Sequence, residues 1–548
     1  MLVGGRVLTM AAGFEHAEAV AVAEGRIVAT AARSDLERLA PTGTPILDVG
    51  ARTICPGFVD PHAHGEVAAR MIATTVDCRA PGCSSIGDVL VTLREHLGRA
   101  REGWLVAQAN LFFDQKLLEG RLPTRTELDD VSTDTAIALR AGGHVTVLNT
   151  RALEISGITR DYEPPAHSVT GKPIVERDDT GLPTGVVKEM DNVLPLPTLD
   201  ESELREALAF GMRELFTRNG VTAAGEISET IAGLRAIDRL QRTGDLPLRV
   251  FTYLWAPGTM TLEEACEWRE ILGDVGPLLS IKGVKLFADG GYSAASAAVK
   301  HDYVGRPGWK GALALTRREV ADALKRTREA DLQLALHANG DRAQEEVCAA
   351  IETAGGAPSG ALRTRVEHAG NFAPDRATTT EWWRRARVVP VPQPVFLYSF
   401  GDYFPTYLGD QGLSGRFAFR SLLDEGWRLS GSSDVWVGSE QDVTNPLFGI
   451  WCCVCRRTYG DATIDLEQRC TVEEAFAMHT INAAEVLGEG HTLGSIEPGK
   501  SADLTVLDRD PLSCPEDDLR HVRVDAVFLD GRSVHTREGS VPIDRATR

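Results

Sequence analysis

The stretch Pro56-Gly57-Phe58-Val59-Asp60-Pro61-His62-Ala63-His64 closes an apolar run that starts at Thr53. On an extended backbone, residues i and i+2 point the same way, so His62 and His64 converge on one point. Neutral imidazole is the commonest side-chain ligand for a metal ion. A single His-x-His pair among 13 histidines is a weak signal by itself. Its position gives it weight, because an α/β barrel gathers its chemistry at the ends of its strands and in the loops after them. The stretch reads as a first barrel strand, Thr53–Val59, with a metal-binding pair at its end.

Outward from this strand, apolar and β-branched runs recur, and longer helical patterns separate most of them. They predict strands at Val221–Glu226, Leu248–Leu254, Ile281–Phe287, Leu332–Leu336, Arg363–Val366, Val388–Val391 and Arg428–Ser432. Helical patterns include Glu201–Thr217, Thr230–Arg242, Thr261–Leu272, Arg317–Ala330 and Asp341–Ala354. Eight strands of this kind predict an α/β fold, a (β/α)8 TIM-like barrel over 53–65 and 201–490. The long gap after the first strand predicts an α+β insertion over 66–200, with turns at Pro164-Pro165 and Gly181–Pro183. Both chain ends alternate short apolar runs with turns such as Gly4-Gly5 and Asp530-Gly531. Since termini often lie close together, they predict one small β-sandwich domain from 1–52 and 491–548.

The ligand-type pattern repeats along the barrel. His337 ends the run Leu332–Leu336, His368 follows Arg363–Val366, and Asp434 follows Leu429–Ser433. Each alone suits a satisfied core histidine or a capping aspartate. Together they occupy equivalent ends of strands one, five, six and eight, which is a metal-ligand constellation. Lys285 adds a sixth member. Only nine lysines stand against 49 arginines, and Lys285 lies in the apolar strand Ile281–Phe287 on the face opposite Val284 and Leu286. A buried ammonium is costly unless neutralised or paired. Carboxylation by CO2 would make it a carbamate able to bridge two cations; a salt bridge to Asp289 or Glu226 answers the same need.

Composition narrows the rest. The 548 residues carry 58 basic and 78 acidic side chains, a net charge of −20, which argues against nucleic-acid or anionic-membrane partners. The absence of a leader-like start and of any uncharged apolar run of about 18 residues predicts a cytoplasmic protein outside the membrane. Ten cysteines match no zinc knuckle or disulfide framework; Cys452, Cys453 and Cys455 read as buried reduced thiols.

Beyond Pro56–His64, the chain carries Leu139–Leu153, Gly181–Glu189, Val284–Gly290, His337–Asp341, Arg365–Ala369, Gln393-Pro394, Ser432–Asp434 and Gly494–Leu507. In number and order these motifs resemble the amidohydrolase superfamily, and within it the YtcJ-like, N-substituted formamide deformylase-like branch (amidohydrolase family 3). The resemblance implies that His62 and His64 bind the more buried ion and His337 and His368 a second. It also implies that carboxylated Lys285 bridges them, and that Asp434 touches the buried ion and handles the catalytic proton. One or two divalent ions fit this set, with zinc the default and Fe, Mn or Co as competitors. A small-molecule substrate and a homodimer are implied as well. Trp436, in Ser433-Asp434-Val435-Trp436, replaces the branch's usual proline, which bears on substrate fit.

Eight aromatics, among them Phe396 and Tyr398, fall between Phe396 and Phe419 after strand seven. They read as a wall for an apolar or arylated substrate, or equally as a lid packed on the barrel. His144 resembles the family's Asp-Gly-His position, with glycine replacing the aspartate, and reads as a substrate contact or a structural hydrogen bond. Arg416 is a further candidate contact, against the plain alternative of a solvated surface arginine. The expected activity is metal-dependent hydrolysis of a C–N bond in an N-substituted formamide, amide or cyclic amide. A metal-dependent decarboxylase or lyase and a non-catalytic binding barrel stand as alternatives.

Overall fold

Seven parallel strands in sequence order form the central sheet of the computed structural model: β1 (Phe58–Ala63), β2 (Val221–Ser228), β3 (Arg249–Trp255), β4 (Leu279–Phe287), β5 (Gln333–His337), β6 (Arg365–Glu367) and β7 (Val389–Val391). The structure describes residues 1–11, 16–166, 168 and 170–540; positions 12–15, 167, 169 and 541–548 of the expected terminal and inserted segments lie outside the described residues. Parallel strands are covered on both faces, which is why these segments read as nearly unbroken apolar runs; every residue of β1, β2 and β5 is buried. Helices such as Glu201–Leu215, Ile231–Thr243, Arg317–Glu329 and Asp341–Thr353 connect them. The result is a near-closed TIM-like barrel.

Two expectations need correction. The first barrel strand is not Thr53–Val59. Thr53–Pro56 pairs with Leu2–Leu8 and Leu504–Leu507 in the sheet of the chain ends, and the barrel strand begins after Gly57. His62 therefore lies within β1 and His64 just beyond it. The eighth strand, Arg428–Ser432, is not a strand at all. Its segment still fills the gap between β7 and β1. The Asp434 N–H donates to the His62 carbonyl and the His64 N–H to the Val435 carbonyl, both at 2.9 Å. On the other side Val389 donates its N–H to Thr364, toward β6. By alternation, position 390 faces the gap, where proline has no N–H to offer, and Pro392 repeats the defect. Side chains take over: Gln393 Nε2 donates to Ser432 Oγ at 3.0 Å, and Ser432 Oγ to the Pro392 carbonyl at 3.0 Å.

The two chain ends together build one hydrogen-bonded sheet of eight strands. Between β1 and β2 lies a six-stranded sheet whose strands run from Val76–Asp77 to Pro183–Lys188, with short helices. Inside the barrel, Phe251, Tyr253 and Trp255 alternate inward from β3, and Tyr253 donates its hydroxyl to Gln333 at 2.5 Å. Above that layer the side chains turn polar. Glu226 of β2 accepts the Gly65 and Glu66 N–H groups at 2.7 and 2.9 Å, pinning the N-terminus of helix Gly65–Thr74 directly behind His64. Among the described residues no helix is long and apolar enough to cross a membrane, and all ten cysteines are free thiols.

Candidate metal centre and pocket

Four buried imidazoles meet at the C-terminal mouth of the barrel. His62 Nε2 lies 3.2 Å and His64 Nε2 3.5 Å from Asp434 Oδ1, and these three side chains form a group able to hold an ion. His62 Nε2 is also 3.4 Å from Lys285 Nζ. Across the mouth, His368 Nε2 stands 3.0 Å from His337 Nδ1. His368 and Asp434 reach these positions with φ of 71° and 46°. Such left-handed conformations cost non-glycine residues about 1–3 kcal/mol and persist where surrounding structure imposes them.

The outer ring nitrogens decide what the inner ones offer. His62 Nδ1 bonds Glu367, and His64 Nδ1 lies 3.1 Å from Glu229 Oε1. His368 Nδ1 is 2.8 Å from Gln393 Oε1, and His337 Nε2 is 3.3 Å from the Gly290 carbonyl. With these N–H groups directed at oxygens, His337 Nδ1 and His368 Nε2 present lone pairs to each other, while His62 Nε2 and His64 Nε2 face Asp434 Oδ1. That arrangement repels unless a cation sits among them, and it is how protein metal sites orient histidine ligands. Burial holds His64 and His337 neutral well below the usual imidazole range and lowers His368 to about 4. Burial opposes the ionisation of Asp434, yet the facing His62, His368 and His64 hold its carboxyl below the ordinary range. The donor set therefore fits a divalent metal.

Lys285 is fully buried, and burial lowers its ammonium to about 8. Neither expected carboxylate pairs with it. Asp289 accepts the N–H groups of Ala298, Asn339 and Gly340, and Glu226 caps the helix described above. Its near neighbours are His62 and the Phe287 ring, 4.5 Å below the nitrogen.

Over this floor lies a small pocket whose walls include Phe112, His144, Tyr292, Phe396, Phe400 and Trp436. Trp436 stacks on His64 with centroids 4.7 Å apart, and a Cβ at position 143 would lie 2.6 Å from the indole, so glycine is needed there. His144 enters from the insertion and is oriented by Glu189, 2.8 Å from its Nδ1. Burial works to lower the His144 pKa, but Glu189 reverses the sign and raises it.

Two candidates lie elsewhere. Val395–Phe400 is helical, so Phe396 and Phe400, four apart, share the pocket face. Tyr398 points away, into Phe448, Trp451 and Tyr459. Arg416 is tied to Asp465 and to the Gly401 carbonyl and borders a separate surface cleft. Sequence reasoning missed Glu367, Glu229, Gln393 and Glu189. For Glu367 a signal existed: Arg365 and Glu367 are charged residues two apart in a buried strand, hence on one face. Arg365 pairs with Glu367 at 2.8 Å beneath His62.

A model of the amidohydrolase family matches residues 46–535, and the chain belongs to that family. Along 98% of its length it is 29% identical to the N-substituted formamide deformylase of Arthrobacter pascens, of which 99% is covered. It is 25% identical to the protein named "Putative amidohydrolase YtcJ" of Bacillus subtilis (strain 168), over 97% of the chain and 99% of that protein. A solved metal-dependent hydrolase from Pyrococcus horikoshii OT3 shares the fold with a TM-score of 0.72 at 24% identity, covering 94% of this chain and 98% of that one. The chain is thus a hydrolase acting on carbon–nitrogen bonds other than peptide bonds.

Proposed function

We propose that this amidohydrolase cleaves the C–N bond of small amides, N-substituted formamides first among them, whose nitrogen carries an apolar or aromatic group. The observation that carries the reading is the cradle of inward-facing imidazole lone pairs at the floor of a ring-walled pocket. His62, His64, His337, His368 and Asp434 would hold one or two divalent ions, zinc by default, with Lys285 joining as its carbamate. When bound, such an ion polarises a carbonyl oxygen and lowers the pKa of water from 15.7 to about 7.

The chain's own groups do the rest. Asp434, kept ionised by the surrounding imidazoles, accepts a proton at Oδ1 or Oδ2 and returns it to the leaving nitrogen. His144, fixed by Glu189, faces the substrate from the opposite wall. Phe396, Phe400 and Trp436 exclude water from the amide head. The resemblance to the deformylase over nearly the full length supports the formamide class. The test is amine release from N-benzylformamide by the zinc-loaded protein, beside Asp434→Asn. The wild type should release amine, and the variant should keep its metal while kcat falls roughly 10²–10⁴-fold. Equal turnover by Asp434→Asn removes the proton-transfer role, and no amine from any formamide removes the substrate class.

A further inference from the structure

The pocket over the cradle is small, about 40 Å³. On the same measure one water needs about 10–15 Å³, so the space holds roughly three waters, room for a formyl or short acyl head and little for a benzyl or long alkyl arm. A second cavity of about 460 Å³ lies next to it, between the insertion and the barrel loops after β4 and β7. The two cavities share Phe112 and Ser293 as walls. Phe112 is 3% exposed and is held at φ 53°, a left-handed conformation that a phenylalanine adopts only under constraint. Its ring stacks on Phe400 at 4.9 Å and meets Tyr407 edge-on at 5.1 Å. Phe400 in turn lies 4.6 Å from Phe396, and Phe396 is 6.2 Å from the candidate ligand His368. A continuous line of rings therefore runs from the metal cradle into the outer cavity.

We propose that the outer cavity is the seat of the substrate's N-substituent and that Phe112 is the gate between amide head and arm; this rests on the amidase reading above. The lining sets the class of arm. Near the gate it is apolar, with Val145, Val186 and Ala295. The charged groups of its wall are matched or face solvent: Lys188 pairs with Glu176 at 2.5 Å, Arg121 with Glu127 at 2.8 Å, Asp114 accepts the Tyr407 hydroxyl at 3.1 Å, and Arg306 is exposed. Because no buried bare charge waits for a partner there, the arm that fits is an uncharged, elongated alkyl or arylalkyl chain.

The test is a homologous series, N-methyl-, N-butyl-, N-octyl- and N-(4-phenylbutyl)formamide, with the full zinc-loaded chain. Val186→Trp and Thr406→Trp fill the cavity from two elements, the first on a strand of the insertion and the second, exposed, on the short helix Phe404–Leu408 after β7. Wild-type kcat/KM should rise with arm length. In each variant that keeps the wild-type Tm, the octyl-to-methyl ratio of kcat/KM should fall at least about 10-fold. A ratio that stays at the wild-type value in both variants overturns the cavity's role while leaving formamide hydrolysis standing. A wild type that hydrolyses every formamide but shows no preference for long arms overturns it as well. A wild type that releases no amine from any member overturns both readings.

Discussion

Glu367 illustrates how a single residue ties the fold to the site. It sits at the middle of a buried line in which Arg365 neutralises it from below and His62 takes its other oxygen from above. Burial opposes its charge, but Arg365 and His62 keep its carboxyl far below the ordinary range. Glu367→Gln keeps the shape and removes the charge that makes His62 a strong donor. The expected result is a loss of about 10–100-fold in metal affinity, read by chelator competition; unchanged affinity would show that Glu367 serves only Arg365. His62 and His64 were legible from alternation, and His337 and His368 from strand ends. Glu189 was not, because its link to His144 joins two strand ends of the insertion by a hydrogen bond that no local pattern encodes.

At the scale of elements, the loop bearing Trp436 depends on the insertion for its position. Glu440, just after it, is buried and bonded by Lys116 of the helix Phe113–Lys116, by Ser399 at 2.6 Å and by Asn110 at 3.3 Å. Lys116 also lies over the Tyr459 ring at 5.0 Å. Removing one partner leaves a buried charge uncompensated, at about 3–5 kcal/mol, whereas replacing both with apolar groups costs less. Lys116→Met should therefore lower the Tm more than the double variant with Glu440→Leu, as measured by calorimetry; equal losses would mean that packing, and not charge, holds the loop. The barrel strands were readable because parallel strands leave continuous apolar runs. The eighth failed because Pro390 and Pro392, in the neighbouring strand, strip the N–H groups its ladder would need. Tyr398 was misplaced because a helix sends it to the far side from Phe396.

Across the whole molecule, three sheets share one mouth: the barrel supplies the ligands, the insertion one wall and His144, and the sheet of both chain ends a strand continuous with β1 through Gly57. Neutral His337 and His368 facing each other at 3.0 Å, beside His62 and His64, make a strained arrangement that a cation relieves. An ion that binds only the folded state stabilises it by about 2.7 kcal/mol at a hundredfold excess over its Kd. Chelation should therefore lower the Tm, and zinc should restore it with a shift that grows with the logarithm of ion concentration. A Tm indifferent to zinc would show that the four histidines do not form a resident metal site.

The residue types and their spacing by themselves determined the barrel class, the His62–His64 pair, the strand-end positions of His337 and His368, and the anomaly of Lys285. All of these follow from the two-residue period of a strand, which is local. Only the tertiary structure decided which oxygens orient the imidazoles, that Asp289 and Glu226 are engaged away from Lys285, that Arg416 is spent on Asp465, and that a large cavity opens beyond Phe112. Those depend on contacts between residues tens to hundreds of positions apart, where packing and charge pairing choose among partners that periodicity leaves equal.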